Sequence, residues 1–205
     1  YPVLCPFENG QPVKSTYIAN GDPFYSECAD FDVTLNIDPE FRVASSGIIL
    51  SKNTQNPTLT KWHINGNNLR DFAFCISKDF NLKSGKVGNT IVYSYYLNND
   101  EMGLIALEYA KNALSCFNKL FGEYPYETLS VVSSDFYIGG MEYPNMVLID
   151  KYLYQPVTKE ALEEVVVHEV AHQWWYGVVG NNEKTEAWLD EGLTQYSVAL
   201  YIEDT

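Results

Sequence analysis

Glu163–Gly177 reads EEVVVHEVAHQWWYG, and the interpretation of the whole chain turns on it. The stretch holds two of the chain's three histidines, His168 and His172, with Glu169 directly after the first. On a helix, residues i and i+4 lie one above the other on a single face. Both imidazoles can therefore point at one spot, at the roughly 2.0–2.1 Å that zinc–nitrogen bonds require. Glu169 projects to one side of the pair, where it can reach a water at the metal without ligating. Two histidines and a glutamate at this spacing form the signature of a zinc hydrolase.

A catalytic zinc takes three protein ligands and leaves one position open. Two side chains on one helix cannot enclose a metal, so the third ligand is expected from another element. Glu191, in the WLDEG stretch Trp188–Gly192, is the best candidate, with Asp190 and Glu186 as alternatives. A helix end, a turn and an antiparallel helix would bring Glu191 opposite the histidines. Zinc lowers the pKa of its water toward about 7 and polarises a carbonyl. Glu169 would accept the water's proton and pass it to the leaving nitrogen. Asp190 is either a hydrogen-bond partner of a ligand histidine or a helix-surface acid.

Working outward, the periodicity predicts helices over 158–175 and 184–203, the latter after Gly180-Asn181-Asn182. Apolar residues at helical spacing predict another over 101–121, with Asn99 or Asp100 as N-cap and Gly122 past its end. Upstream of residue 98 the period is two. FDVTLNID (Phe31–Asp38) alternates strictly, as a half-buried strand does. Similar runs cover 43–50, 58–64, 71–77 and 90–97. Turns are expected at Asp38-Pro39, Asn56-Pro57, Asn65-Gly66 and Ser84-Gly85. Phe72, Phe74 and Ile76 are expected to face the core. Strands also follow at 128–133 and 146–150, with a Gly-Gly turn between them. Trp174, Trp175 and Trp188 are expected to pack the two final helices together. His63, in a strand without a second ligand type nearby, is expected to be a surface histidine.

The zinc-binding pattern resembles the gluzincin aminopeptidases of the aminopeptidase N type, the group that includes leukotriene hydrolase. GGMEYP (Gly139–Pro144) resembles that family's G-x-M-E-N motif, with Tyr143 where Asn is usual. RDFAF (Arg70–Phe74) resembles a strand near the end of the family's N-terminal β-domain. The resemblance implies an α+β chain: residues 1–97 as the C-terminal part of an antiparallel β sandwich or saddle, residues 98–205 as the N-terminal half of a thermolysin-like zinc peptidase domain. It implies His168, His172 and Glu191 as ligands of one Zn2+ per chain, and Glu169 as general base. It assigns Glu142 to the substrate's free α-amine, with Gly139, Gly140 and Met141 lining the peptide. The partners implied are peptides with a free N-terminus. The family's transition-state tyrosine lies well downstream of the glutamate ligand, and neither Tyr196 nor Tyr201 is in its place. The isolated chain is accordingly expected to be a truncated piece with weak zinc binding and poor activity.

Composition narrows the alternatives. A formal net charge of −14 argues against nucleic acid, which needs Lys and Arg to neutralise phosphates. No apolar run is long enough for a membrane helix. Cys5, Cys28, Cys75 and Cys116 contain no CxxC pair and are expected as free core thiols, a Cys5–Cys28 disulfide being the alternative. Two further readings stand beside the aminopeptidase: a zinc hydrolase of a non-peptide substrate such as an epoxide, and a non-catalytic binding scaffold. The intact His/His/Glu set with Glu169 disfavours the scaffold.

Overall fold

The computed structural model describes residues 7–13, 26–137 and 139–204. It mixes helices with antiparallel and mixed sheets, an α+β arrangement. A short hairpin, β1 (Phe7–Glu8) and β2 (Gln11–Pro12), precedes the larger elements. β3 (Ala29–Ile37) follows the predicted alternation and is half-buried on every second residue. The expected strand over 43–50 is instead two. β4 (Arg42–Ser45) and β5 (Ile48–Asn53) join different sheets, with the switch at Ser46-Gly47. A Cβ on Gly47 would sit 2.7 Å from the Asn65 carbonyl oxygen, so the crossing needs glycine. β6 (Thr60–Leu69) pairs with both β3 and β5. Asn65-Gly66, expected as a turn, therefore lies inside a strand.

Among the described residues β7 (Phe74–Ser77) pairs only with β4. Phe72 is buried as expected, but Phe74 and Ile76 are 43% and 40% exposed, which corrects their assignment to the core. Alternation fixes that neighbours face opposite ways but not which face is covered. Here Cys75 is the residue turned toward the buried cluster of Ala44, Ala73 and Phe80. The other cluster of this region gathers Val43, Trp62, Ile64, Leu69 and Phe72. His63 pairs with Asp32 on the surface at 3.0 Å.

β8 (Asn81–Val87) and β9 (Thr90–Tyr96) form a hairpin turning at Gly88-Asn89. The Ser84-Gly85 turn is thereby corrected to mid-strand, where Gly85 lies under the Lys111 side chain. Helix α1 (Asp100–Phe121) matches the expected bounds. The Asn99 side chain caps it by accepting from the Met102 amide at 3.3 Å, and Gly122 ends it at φ 100°. β10 (Thr128–Ser134), β11 (Gly140–Met141) and β12 (Met146–Asp150) complete a five-stranded sheet ordered β11-β12-β10-β9-β8. β10 runs parallel to both neighbours, while β11 is an antiparallel edge. The sheet thus crosses residue 98, because β8 and β9 precede it and β10 to β12 follow.

The predicted zinc helix is α2 (Lys159–Ala171), shorter than expected at its C-terminal end. His172 is its C-cap, still in helical conformation, and its amide bonds the His168 carbonyl. The turns beyond reach Tyr176 at φ 141°. A Cβ on Gly177 would meet the Gln173 carbonyl oxygen at 2.6 Å, so this tight exit requires glycine. The final predicted helix is interrupted at Ala187 into α3 (Glu183–Glu186) and α4 (Trp188–Asp204). One buried cluster spans this half of the chain, with Phe117, Leu129, Val131, Leu162, Val166, Trp174 and Val198 among its members. Trp174 is buried and Trp175 half-buried, its indole donating to Ser197 Oγ at 2.8 Å. Trp188 is 67% exposed and donates to Glu186, which removes it from the expected helix packing.

Among the described residues no helix is long and apolar enough to cross a membrane. Cys28, Cys75 and Cys116 are free thiols, of which only Cys116 is buried; Cys5 lies outside the described residues.

Candidate metal centre

The end of α2 and the first turn of α4 meet with three donor atoms facing inward. His168 Nε2 lies 3.2 Å from His172 Nε2 and 3.2 Å from Glu191 Oε2, and His172 Nε2 lies 3.7 Å from the same oxygen. Four ligands at about 2.05 Å around a tetrahedral zinc stand about 3.3 Å apart. The triangle therefore has the right donors and nearly the right size for that ion. His172 is buried, whereas the Glu191 side chain is 45% exposed, so one side remains open to an incoming molecule. A second grouping of Glu142, His172 and Asp190 also converges, within 4.8 Å. It shares His172 and all three members are buried, so it offers no open position.

Electrostatics mark the same point. Hydrogen bonds from His168 and then His172 hold the Glu191 carboxyl well below the usual carboxylate range. Burial works against a charged His172, but the Glu191 hydrogen bond and the carboxylates of Glu142, Glu169 and Glu191 outweigh it and push the imidazole up to about 10. Without a metal, the site is an ion pair in which imidazolium takes the place of the cation.

The far nitrogen of His172 is also held. Nδ1 lies 3.1 Å from the Trp175 carbonyl oxygen and 3.2 Å from Thr194 Oγ1. A proton on Nδ1 facing these acceptors frees Nε2 to act as a lone-pair donor. Asp190 makes no such bond. Its Oδ1 accepts from Asn181 Nδ2 at 2.9 Å, and its Oδ2 is buried without a hydrogen-bond partner among the described residues. Glu186, the other alternative ligand, lies at the surface with Trp188.

Beside the triangle, Glu169 is buried on α2 with its carboxylate against Gly140. A Cβ at position 140 would overlap that carboxylate, so the glycine makes room for it. Gly140 and Met141 form β11, fixed to β12 at Ile149 and Leu148. Gly139 adopts φ 96° and its carbonyl accepts from the Asp150 amide at 2.8 Å. Glu142 follows directly and is buried. The residues expected from the sequence, His168, Glu169, His172, Glu191 and the Gly139–Glu142 run, are thus gathered on two helices and a sheet edge. Neither tyrosine after Glu191 joins them: Tyr201 donates to Glu163 and Tyr196 is exposed.

Sequence reasoning did not find Thr194, the Trp175 carbonyl or Arg70 as parts of the site's frame. Arg70 Nε donates to the Tyr176 carbonyl at 2.7 Å, bracing the turn that presents the neighbouring Trp175 carbonyl. The Arg70 guanidinium packs against Gly180, where any side chain would overlap it. Thr194 lies three residues after Glu191, one helical turn along the same face, and that spacing was the one signal available.

Residues 105–205 match the Peptidase family M1 domain. Aminopeptidase M1-B of Oryza sativa subsp. japonica is 26% identical over 187 residues, covering 85% of this chain and 21% of the relative. Aminopeptidase N of Acetobacter pasteurianus is 32% identical over 107 residues, covering 47% of this chain and 30% of the relative. Aminopeptidase B of Rattus norvegicus is 36% identical over 87 residues, covering 41% and 13% respectively. The chain thus spans less than a third of the length of these relatives.

Proposed function

Since residues 105–205 match the Peptidase family M1 domain, we propose that the chain is part of a zinc-dependent aminopeptidase. The observation that carries this reading is the triangle of His168, His172 and Glu191 donor atoms at 3.2–3.7 Å, with Glu169 and Glu142 buried beside it. Two imidazoles and one carboxylate are a donor set suited to catalytic zinc. Bound there, zinc supplies a Lewis acid for the scissile carbonyl and lowers the pKa of water toward about 7.

The chain's own residues do the rest. Glu169 accepts the proton that water loses on attacking the carbonyl carbon. It returns that proton to the departing nitrogen as the C–N bond breaks, so the leaving group departs as a neutral amine. Glu142 pairs with the substrate's α-ammonium, a charge-assisted contact. That anchor sets cleavage at the first peptide bond, because only there does a free amine precede the carbonyl by one residue. The edge strand β11 offers Gly139, Gly140 and Met141 for an extended peptide to lie against. The partners are peptides with free N-termini. The division into the end of a β-domain (1–97) and the first part of a peptidase domain (98–205) rests on the change from strand to helical period at that point, although the five-stranded sheet takes strands from both sides of it.

The test uses the full-length protein. Stoichiometric zinc is expected, and Glu169→Gln is expected to lower kcat about 10²–10⁴-fold with zinc content unchanged. A protein without zinc, or one whose activity survives Glu169→Gln, would sink the reading.

A further inference from the structure

We propose that Gln173 is a positioning residue for substrate-amine recognition: its side-chain amide ties the loop that carries Glu142 to the end of the zinc helix. The inference rests on the reading of Glu142 as the amine anchor. Gln173 directly follows His172, yet its side chain turns away from the donor triangle and is almost wholly buried. Its Oε1 accepts from the Asn145 amide at 2.8 Å, and its Nε2 approaches the Tyr143 carbonyl oxygen at 3.4 Å. One amide therefore holds the loop at two backbone points, on the acceptor side and on the donor side.

The loop is built to be held in this way. The Met146 amide bonds the Tyr143 carbonyl at 3.0 Å, closing a four-residue turn with Pro144 in its second position. Asn145 occupies the third position at φ 61°. Proline followed by a residue of positive φ is the pattern of a type II turn, and Asn tolerates that conformation. The Asn145 side chain then fixes the turn to the rest of the molecule. Its Oδ1 accepts from Tyr124 Oη at 2.5 Å, and its Nδ2 donates to the Ser46 carbonyl at 3.0 Å. Its own carbonyl accepts from the Ser130 amide at 2.8 Å. Glu142 leads directly into this turn. A rigid loop attached to the residue next to a ligand fixes the distance between the carboxylate that reads the amine and the centre that attacks the carbonyl.

In zinc-loaded full-length protein, Gln173→Met keeps the volume and removes both loop bonds. It is expected to raise KM for an aminoacyl anilide about tenfold or more with kcat within about threefold, zinc content being unchanged. A readout independent of turnover is calorimetric binding to the metal-free protein. Affinity for L-leucinamide should fall by a similar factor, and that for N-acetyl-L-leucinamide should not change. Gln173→Asn keeps the amide but falls one methylene short of the loop, so it is expected to move KM in the same direction and serves if the methionine variant does not fold. Wild-type KM and leucinamide affinity in the Gln173 variants would overturn the inference, as would a loss confined to kcat. Failure of the underlying reading looks different: wild-type protein would then treat free and acetylated amines alike, and the inference would fall with it.

Discussion

At the scale of single residues, the site is held by what faces each nitrogen and oxygen. Thr194→Val keeps the shape of the threonine and deletes one of two oxygens facing His172 Nδ1. Loss of a hydrogen-bond partner behind a metal ligand typically costs 10- to 100-fold in metal affinity. The Trp175 carbonyl remains, so the lower end, about tenfold, is expected in a zinc competition titration; unchanged affinity would refute it. Charge gives a second prediction. In metal-free protein His172 is raised from 6.5 to about 10 by Glu191 and its neighbours, against the effect of burial. Its stabilising contribution is then complete below pH 6.5 and is lost as pH rises through about 10. Glu191, lowered by His168 and His172 from 4.5, contributes above that value and loses the contribution as pH falls. The metal-free ion pair is therefore at full strength between pH 4.5 and 6.5. Zinc needs the neutral imidazole, so binding at pH 7 should release about one proton from this residue. Calorimetry in buffers of different ionisation enthalpy measures it, and no buffer dependence would contradict it. The proposed ligands His168 and His172 were legible in the sequence because they are related by one helical turn, a local rule. Gln173, Asn145 and Thr194 were not, because their partners are chosen by tertiary contact and their residue types are ordinary for loops and helices.

At the scale of elements, helix and strand period were readable where the local pattern was strong. Asn99 and Gly122 bound α1 because a cap and a left-handed stop are local chemistry. Ser84-Gly85 misled because composition alone suggests a turn, whereas β8 is held straight by its pairing with β9. Phe74 and Ile76 misled because β7 has no neighbour on one edge and its outer face is uncovered among the described residues. The seam between α1 and β9 supplies the test at this scale. Gly103 lies on the Tyr96 ring, which a Cβ would overlap. Alanine favours a helix over glycine by about 1 kcal/mol, while overpacking a filled site costs about 1–3 kcal/mol. The ring has little room to yield, since Tyr96 is buried and its hydroxyl donates to Asp100 at 2.9 Å. Gly103→Ala is expected to lower the urea midpoint, and an unchanged or higher midpoint would show that the ring gives way.

At the scale of the whole molecule, the sheet does not respect the point where the periodicity changes. β9 is an inner strand between β8 and β10 and contributes Val92 and Tyr96 to the main core. A piece beginning at residue 98 would leave β10 with a bare edge. A piece beginning at residue 79 keeps the hairpin and the full sheet. The shorter piece is expected to show the weaker amide-exchange protection in β10 and β12, and equal protection would show that the hairpin is dispensable. This crossing was illegible in the sequence because strand pairing across a 22-residue helix leaves no local trace. The frame of the candidate metal centre reaches further still. Arg70 bonds Tyr176 across 106 residues, and Asn145 bonds Ser46 across 99. β9, α1 and β10, by contrast, are neighbours in the chain as well as in space. Such separation sets an order of events on the ribosome, where chains emerge at about 5–20 residues per second. The hairpin, helix and central strand can assemble while Glu191 is still unmade, so the donor triangle of His168, His172 and Glu191 can close only seconds after the strands that frame it are synthesised.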